Sequence, residues 1–303
     1  MMPRSPKSRI RIDILGALLL AASFGACSKN GSSPTAPSGP PAAGSAVSFT
    51  AIGASDATGH GGSVPCDVPI QTLETCPNGT GYVYVAARQL RSQGFAVTLR
   101  NMGIPTAVIS RAFQNLAQQY NHFVAGNFIE QEMPFVLTES TVVTIFAGGN
   151  EINIITAALG GGAGASDQAG YIDTQVRTFG TDYATLLAGI RAKAGTARII
   201  ALNVPNLAAL PLLAGASLGQ KQAAQRASVG MTMTVVNPLT SQGVLVVDLM
   251  CDSRTYLSSN LSSDGFHPND SGYAFIAAEV VRAFTSSSYP APRSSCSQMT
   301  VVP

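Results

Sequence analysis

The sequence predicts an α/β fold in which a five-stranded parallel sheet is covered by helices on both faces. Three observations carry this reading. Five short apolar runs, near residues 49–53, 95–99, 141–147, 197–204 and 243–249, mostly lack the polar alternation of a half-solvated strand. Segments with apolar residues at helical spacing separate them. Several runs end directly in a glycine or asparagine turn, at the carboxyl edge where parallel sheets keep their ligand crevice.

The elements follow in chain order. Phe49 to Gly59, FTAIGASDATG, is an apolar strand entering a Gly-Ala-Ser-Asp turn, with Ser55 exposed on it. A loop rich in Gly and Pro continues to about Gly81. Val83, Ala86, Ala87 and Leu90 then mark a helix closed by Gly94 at its C′ position. Phe95 to Leu99 alternates as a second strand, ending at Asn101-Met102-Gly103-Ile104-Pro105. A helix over Ile109, Ala112, Phe113 and Leu116 precedes the strand Thr141 to Ala147, which runs into Gly148-Gly149-Asn150-Glu151. A long amphipathic helix begins near Asp167 and presents Ile172, Val176, Phe179, Tyr183, Leu186 and Ile190 on one face. Ala197 to Val204 and Gly243 to Leu249 are the last strands, separated by a helical stretch from about Leu218 to Thr234. The final helix is predicted from a cap at Asp270 or Ser271 and carries Tyr273, Ile276, Val280 and Phe284.

With 303 residues, 46% hydrophobic and 11% charged, the chain can bury a full core. A net charge of +2 offers no electrostatic footprint for nucleic acid. The first 27 residues read as an export signal. Arg4, Lys7, Arg9 and Arg11 form a basic start, Ile14 to Ala22 an apolar core, and Phe24-Gly25-Ala26-Cys27 the end. That ending resembles a bacterial lipobox, which implies lipid modification of Cys27 and an exported, membrane-anchored protein of the periplasm or cell surface. Residues 28–46, mostly Ser, Gly, Pro and Ala, have nothing to bury and read as a flexible linker. The domain then spans 47–303, expected as a monomer that touches the membrane only through its anchor. Cys66, Cys76, Cys251 and Cys296 remain; in an exported chain an even number suggests two disulfides. Of three possible connectivities the shortest closures, Cys66–Cys76 and Cys251–Cys296, are favoured. No C-x-x-C pair is present and His60 has no partner at ligand spacing, so no metal site is expected.

A serine becomes a nucleophile only beside a base. Asp264-Gly265-Phe266-His267-Pro268 supplies one just before the last helix. An aspartate three residues from a histidine on one turn can accept its Nδ1 proton and leave Nε2 for the Ser55 proton. Gly103 and Asn150 each follow an apolar strand and converge on the same sheet edge. There a close-approaching backbone N–H and a side-chain N–H, with the Ser55 N–H, suit a developing oxyanion.

With Ser55, Gly103, Asn150 and His267 in this order, the chain resembles the SGNH hydrolases of the GDSL esterase/lipase family. The resemblance covers about residues 47–286 and includes Asn-Met-Gly-Ile-Pro around Gly103, Gly-Gly-Asn-Glu around Asn150 and His-Pro-Asn-Asp from His267. It implies a three-layer, flavodoxin-like α/β/α sandwich and ester hydrolysis through a serine acyl-enzyme, with no metal or organic cofactor. The substrate class would be small-molecule, lipid or carbohydrate esters. Two positions depart from the family pattern: Gly53-Ala54-Ser55-Asp56 replaces Gly-Asp-Ser-Leu, and Glu151 stands where Asp is usual.

Rival readings are weaker. Gly215-Ala216-Ser217-Leu218-Gly219 matches G-x-S-x-G, but the Leu/Ala-rich stretch before it, broken by Pro211, is no strand. Gly160 to Ala165 fits G-x-G-x-x-A in letters without a strand before it. An acyltransferase or a carbohydrate deacetylase would use the same triad. A lipid-anchored binding protein would keep the fold without activity.

Overall fold

The structure is a computed structural model that describes residues 39–68 and 71–303. The export signal, Cys27 and most of the 28–46 linker lie outside the described residues. Strand β1 (Ala46–Gly53) leads into the one-turn helix α1 (Ser55–Thr58), then α2 (Tyr82–Ser92) and β2 (Ala96–Asn101). Helices α3 (Arg111–Gln119) and α4 (Phe128–Gln131) precede β3 (Val142–Phe146), α5 (Gly149–Gly160) and α6 (Gln168–Lys193). The chain ends in β4 (Arg198–Leu202), α7 (Leu218–Met231), β5 (Leu245–Val247) and α8 (Asp270–Thr285).

All four strand pairings are parallel, in the order β2-β1-β3-β4-β5. This is the flavodoxin-like order, and its switch point lies between β1 and β3. Side chains of each strand alternate between two cores. Val47, Phe49 and Ala51 of β1, with Val142, Ile200 and Val247, pack under α2 and α8. Ile52, Val143, Ile145, Ile199 and Val246 pack on the opposite face with α3, α5, α6 and α7. The buried strands thus read as continuous apolar runs because both of their faces are covered.

Helix ends follow local chemistry. Gly94 closes α2: its N–H donates to Arg91 O, and the next N–H, of Phe95, reaches back to Leu90 O. Asp167 caps α6 by accepting from Gly170 N–H. The cap of α8 is Asn269, one residue before the predicted position, with Oδ1 accepting from Ser271 and Gly272 N–H. Asp270 is otherwise engaged, accepting from the Ser63 N–H and hydroxyl and so tying the loop after α1 to the last helix. Both expected disulfides form, Cys66–Cys76 with Cα atoms 6.1 Å apart and Cys251–Cys296 with 5.7 Å. Such bonds mark a chain matured in an oxidising, extracytoplasmic compartment. Among the described residues no helix is long and apolar enough to cross a membrane.

Candidate active site

The loops after β1, β2, β3 and β5 meet at the carboxyl edge of the sheet. Ser55 is the first residue of α1, where an N–H has no acceptor inside the helix. Its carbonyl is held by three donors: the N–H groups of Gly59 and His60, and the Thr58 hydroxyl. Ser55 is buried, only 7% exposed, rather than standing open on its turn. The α8 approach loop covers it, and the Ser55 hydroxyl lies 2.8 Å from His267 Nε2.

Asp264 and His267 are brought together as their spacing implies. His267 Nδ1 is 2.6 Å from Asp264 Oδ2, while Asp264 Oδ1 accepts from the N–H groups of Phe266 and His267 and from the Ser262 hydroxyl. Closing this turn puts Gly265 at φ +67°, where a Cβ would also strike the Leu212 backbone at 2.8 Å. Burial alone would raise the Asp264 pKa. The hydrogen bonds from His267, Phe266 and Ser262 override it and hold the carboxylate well below its ordinary range. The His267 ring sits between Phe266 and His60, each 4.6 Å away, centroid to centroid, and edge-on.

Gly103 packs directly against the serine turn. A Cβ there would lie 2.7 Å from Ala57 Cβ and 3.2 Å from Ala54 O, so the approach needs glycine. Buried Asn101 and Gln71, whose part the sequence did not disclose, hold this junction. Asn101 donates to Ala57 O and accepts the Gly103 N–H at 3.1 Å, and Gln71 donates to Gly103 O. Asn150, in the first turn of α5, donates one Nδ2–H to Ala107 O at 2.8 Å, and its amide has a second N–H.

A family model of the GDSL-like lipase/acylhydrolase family matches residues 49–275. The chain belongs to that family. The site segments at Ser55, Gly103, Asn150 and Asp264–His267 all fall within the matched span. Among solved structures, the fold is similar to that of lipase Lip_vut3 from a goat rumen metagenome. That pair has 17% identity and a TM-score of 0.53, covering 79% of this chain and 98% of the other. The extracellular lipase of Streptomyces rimosus is similar at 13% identity and TM-score 0.51, covering 78% and 99%. No curated protein matches the chain.

In this GDSL-family hydrolase two buried acids brace the site loops, and neither has a spacing that announces it. Glu151, third in α5, accepts from Gly148 N–H at 2.9 Å and Ile109 N–H at 2.5 Å, fastening α5 to the loop after β2. Burial pushes its pKa up to about 7, against the pull of these backbone donors. Glu132, just past α4, is fully buried and accepts the Gly53 N–H at 2.9 Å, while its Oε1 has no partner among the described residues. Burial beneath the serine turn pushes this carboxyl well above its ordinary range, against the pull of its backbone donors. Asp56, next to Ser55, is also raised by burial.

An apolar cavity of about 50 Å³ runs behind the site. Ala54 and Asp56 on either side of Ser55, together with Asn150, reach it, and Val204, Leu207 and Phe266 close it. Ser217, by contrast, is an exposed N-cap that shares a capping box with Gln220 at the start of α7. No strand enters its turn, so the α/β-hydrolase reading fails on geometry. Gly160 ends α5, and Gly160–Ala165 is a helix-terminal turn rather than a strand-to-helix loop.

Proposed function

We propose that the protein is a serine ester hydrolase that works through an acyl-enzyme on Ser55. One observation carries the reading: a continuous path from Ser55 Oγ to His267 Nε2 at 2.8 Å and from His267 Nδ1 to Asp264 at 2.6 Å. Ser55 Oγ attacks the ester carbonyl as Nε2 takes its proton, and Asp264 holds the imidazolium in place. The same proton passes to the departing alcohol oxygen. Water, deprotonated by Nε2, then attacks the acyl carbon and restores Ser55. The Ser55 N–H at the head of α1, the second Asn150 Nδ2–H and the Gly103 N–H serve the tetrahedral oxyanion, Gly103 being shared with Asn101 Oδ1.

The 50 Å³ cavity beside Asn150 supports a short acyl group such as acetyl. Pockets for drug-sized ligands run to about 300–1,000 Å³. A carbohydrate deacetylase or a short-chain acyltransferase fits the same acyl side. The domain acts outside the cytoplasm on a tether that Cys27 anchors. Incorporation of labelled palmitate that disappears in Cys27→Ser tests the anchor.

A fluorophosphonate ester tests the chemistry, because its phosphorus adduct mimics the tetrahedral intermediate. One adduct per chain is expected on the Ser55 peptide, absent in Ser55→Ala, strongly reduced in His267→Ala and unchanged in Ser217→Ala. An adduct on any other serine, or none on folded protein, rejects the proposal. Fast labelling with ester turnover that rises only when an alcohol or sugar acceptor is added identifies an acyltransferase.

A further inference from the structure

His60 is left over from the site just described. Its backbone N–H serves Ser55 O and its carbonyl accepts the Tyr273 hydroxyl, yet its imidazole is exposed and, among the described residues, makes no side-chain hydrogen bond. The ring instead stands edge-on to His267, with centroids 4.6 Å apart and planes 67° apart. One ligand atom each from His60, Asp264 and His267 lie within 4.8 Å of one another. His60 lies far along the sequence from Asp264 and His267, which share one turn, so only the fold brings it to them.

We propose that His60, Asp264 and His267 form an inhibitory site for a divalent transition metal of the zinc class. The site itself is independent of the esterase reading; its effect on turnover rests on that reading. Two imidazole nitrogens and a carboxylate oxygen are the donors that zinc, copper and nickel take, and that magnesium and calcium do not prefer. With bonds of about 2.0–2.1 Å, tetrahedral ligand atoms lie roughly 3.3 Å apart. Closing the site requires the exposed His60 ring to rotate inward and Nδ1 and Oδ2 to part from their 2.6 Å hydrogen bond. No thiolate competes among the described residues, since Cys66, Cys76, Cys251 and Cys296 are all paired in disulfides.

The consequence for catalysis follows from which nitrogen is used. His267 Nε2 faces Ser55, so the nitrogen shared with Asp264 is Nδ1. A metal–Nδ1 bond forms as the Nδ1–H···Oδ2 hydrogen bond breaks, and Asp264 becomes a metal ligand. Metal ligands bind without their proton. The displaced proton moves through water to Nε2, and the imidazole stays neutral in the opposite tautomer. Nε2–H then donates to Ser55 Oγ instead of accepting from it, and the serine has no base. The metal therefore occupies the place of one proton, without blocking the acyl cavity.

The test uses tag-free full chain, with zinc chloride as probe. Calorimetry on wild type and on Ser55→Ala should show one zinc per chain with similar affinity, because Ser55 is no ligand. In His60→Ala the affinity should fall by at least the roughly 10–100-fold that loss of even an outer-shell partner costs. Hydrolysis of p-nitrophenyl acetate should be inhibited by zinc in wild type and restored by chelation. Measured against its own metal-free rate, His60→Ala should lose the inhibition, while His122→Ala should keep it. Equal zinc affinity in wild type and His60→Ala, or zinc-insensitive turnover in wild type, overturns the proposal. Zinc binding that depends on His60 in a protein without ester turnover leaves the site standing and rejects the esterase reading instead.

Discussion

Glu151→Gln turns the burial of one carboxyl into a measurable pH dependence. Glu151 is 1% exposed, and its pKa moves from an ordinary 4.5 to about 7 on folding. Between these values the unfolded chain has released a proton that the folded chain still holds. Stability from this group is therefore complete below pH 4.5 and is lost as pH rises toward 7. Each pKa unit corresponds to about 1.4 kcal/mol, so the whole change is about 3 kcal/mol. A glutamine at this position does not titrate. Urea unfolding of wild type and variant at pH 4.5 and 7.5 should show wild type losing about 3 kcal/mol relative to the variant. The other acids, Glu132 and Asp264 included, are present in both chains and cancel in the difference. A difference that stays constant with pH refutes the burial argument. One that changes in wild type's favour shows that the Gly148 and Ile109 donors outweigh desolvation.

Other perturbations address other parts of the molecule. Asn150→Ala should lower kcat by about 10²–10³ with little change in KM, and Asn150→Asp should be at least as poor through like charge at the oxyanion; a change in KM alone assigns Asn150 to substrate binding. Across p-nitrophenyl esters, kcat/KM should be highest for acetate and fall for octanoate, with Leu207→Ala recovering the longer chain; a preference for octanoate in wild type rejects the short-acyl cavity. Glu132→Gln, which keeps an acceptor for the Gly53 N–H, should cost less than Glu132→Ala, which strands that N–H at a cost of about 1–3 kcal/mol, as denaturant titration will show. Peptide mapping without reduction should recover Cys66–Cys76 and Cys251–Cys296, and removing the second bridge should cost up to about 4 kcal/mol, since it closes the longer loop.

Much of the fold was legible in one dimension because its signals are local. Five apolar runs, several of them ending in a glycine or asparagine turn, announced a parallel sheet, and the apolar periodicity of residues 168–193 announced the long helix. Ser55, Gly103 and Asn150 could be named as candidates because each sits in a short motif after an apolar run, and Asp264–His267 because the pair stands three residues apart just before the last helix. Both disulfides followed from the shortest loop closures. The cap of α8 was displaced by one residue because Asp270, a good cap by type, was taken up by Ser63 from a distant loop.

What the sequence alone determined was thus the order of elements and the residue types delivered to one edge of the sheet. Tertiary structure decided how those residues are screened, braced and paired. Ser55 is buried because the α8 approach loop folds over it. Asn101, Gln71, Glu132 and Glu151 hold the site loops through backbone groups, whose positions depend on strand register and not on side-chain type. His60 had no partner along the chain, yet its ring meets His267 because α1 and the turn before α8 share one edge. Hydrogen bonds and metal ligands act over a few ångströms, and separation in sequence says nothing about that distance once the chain has crossed the sheet.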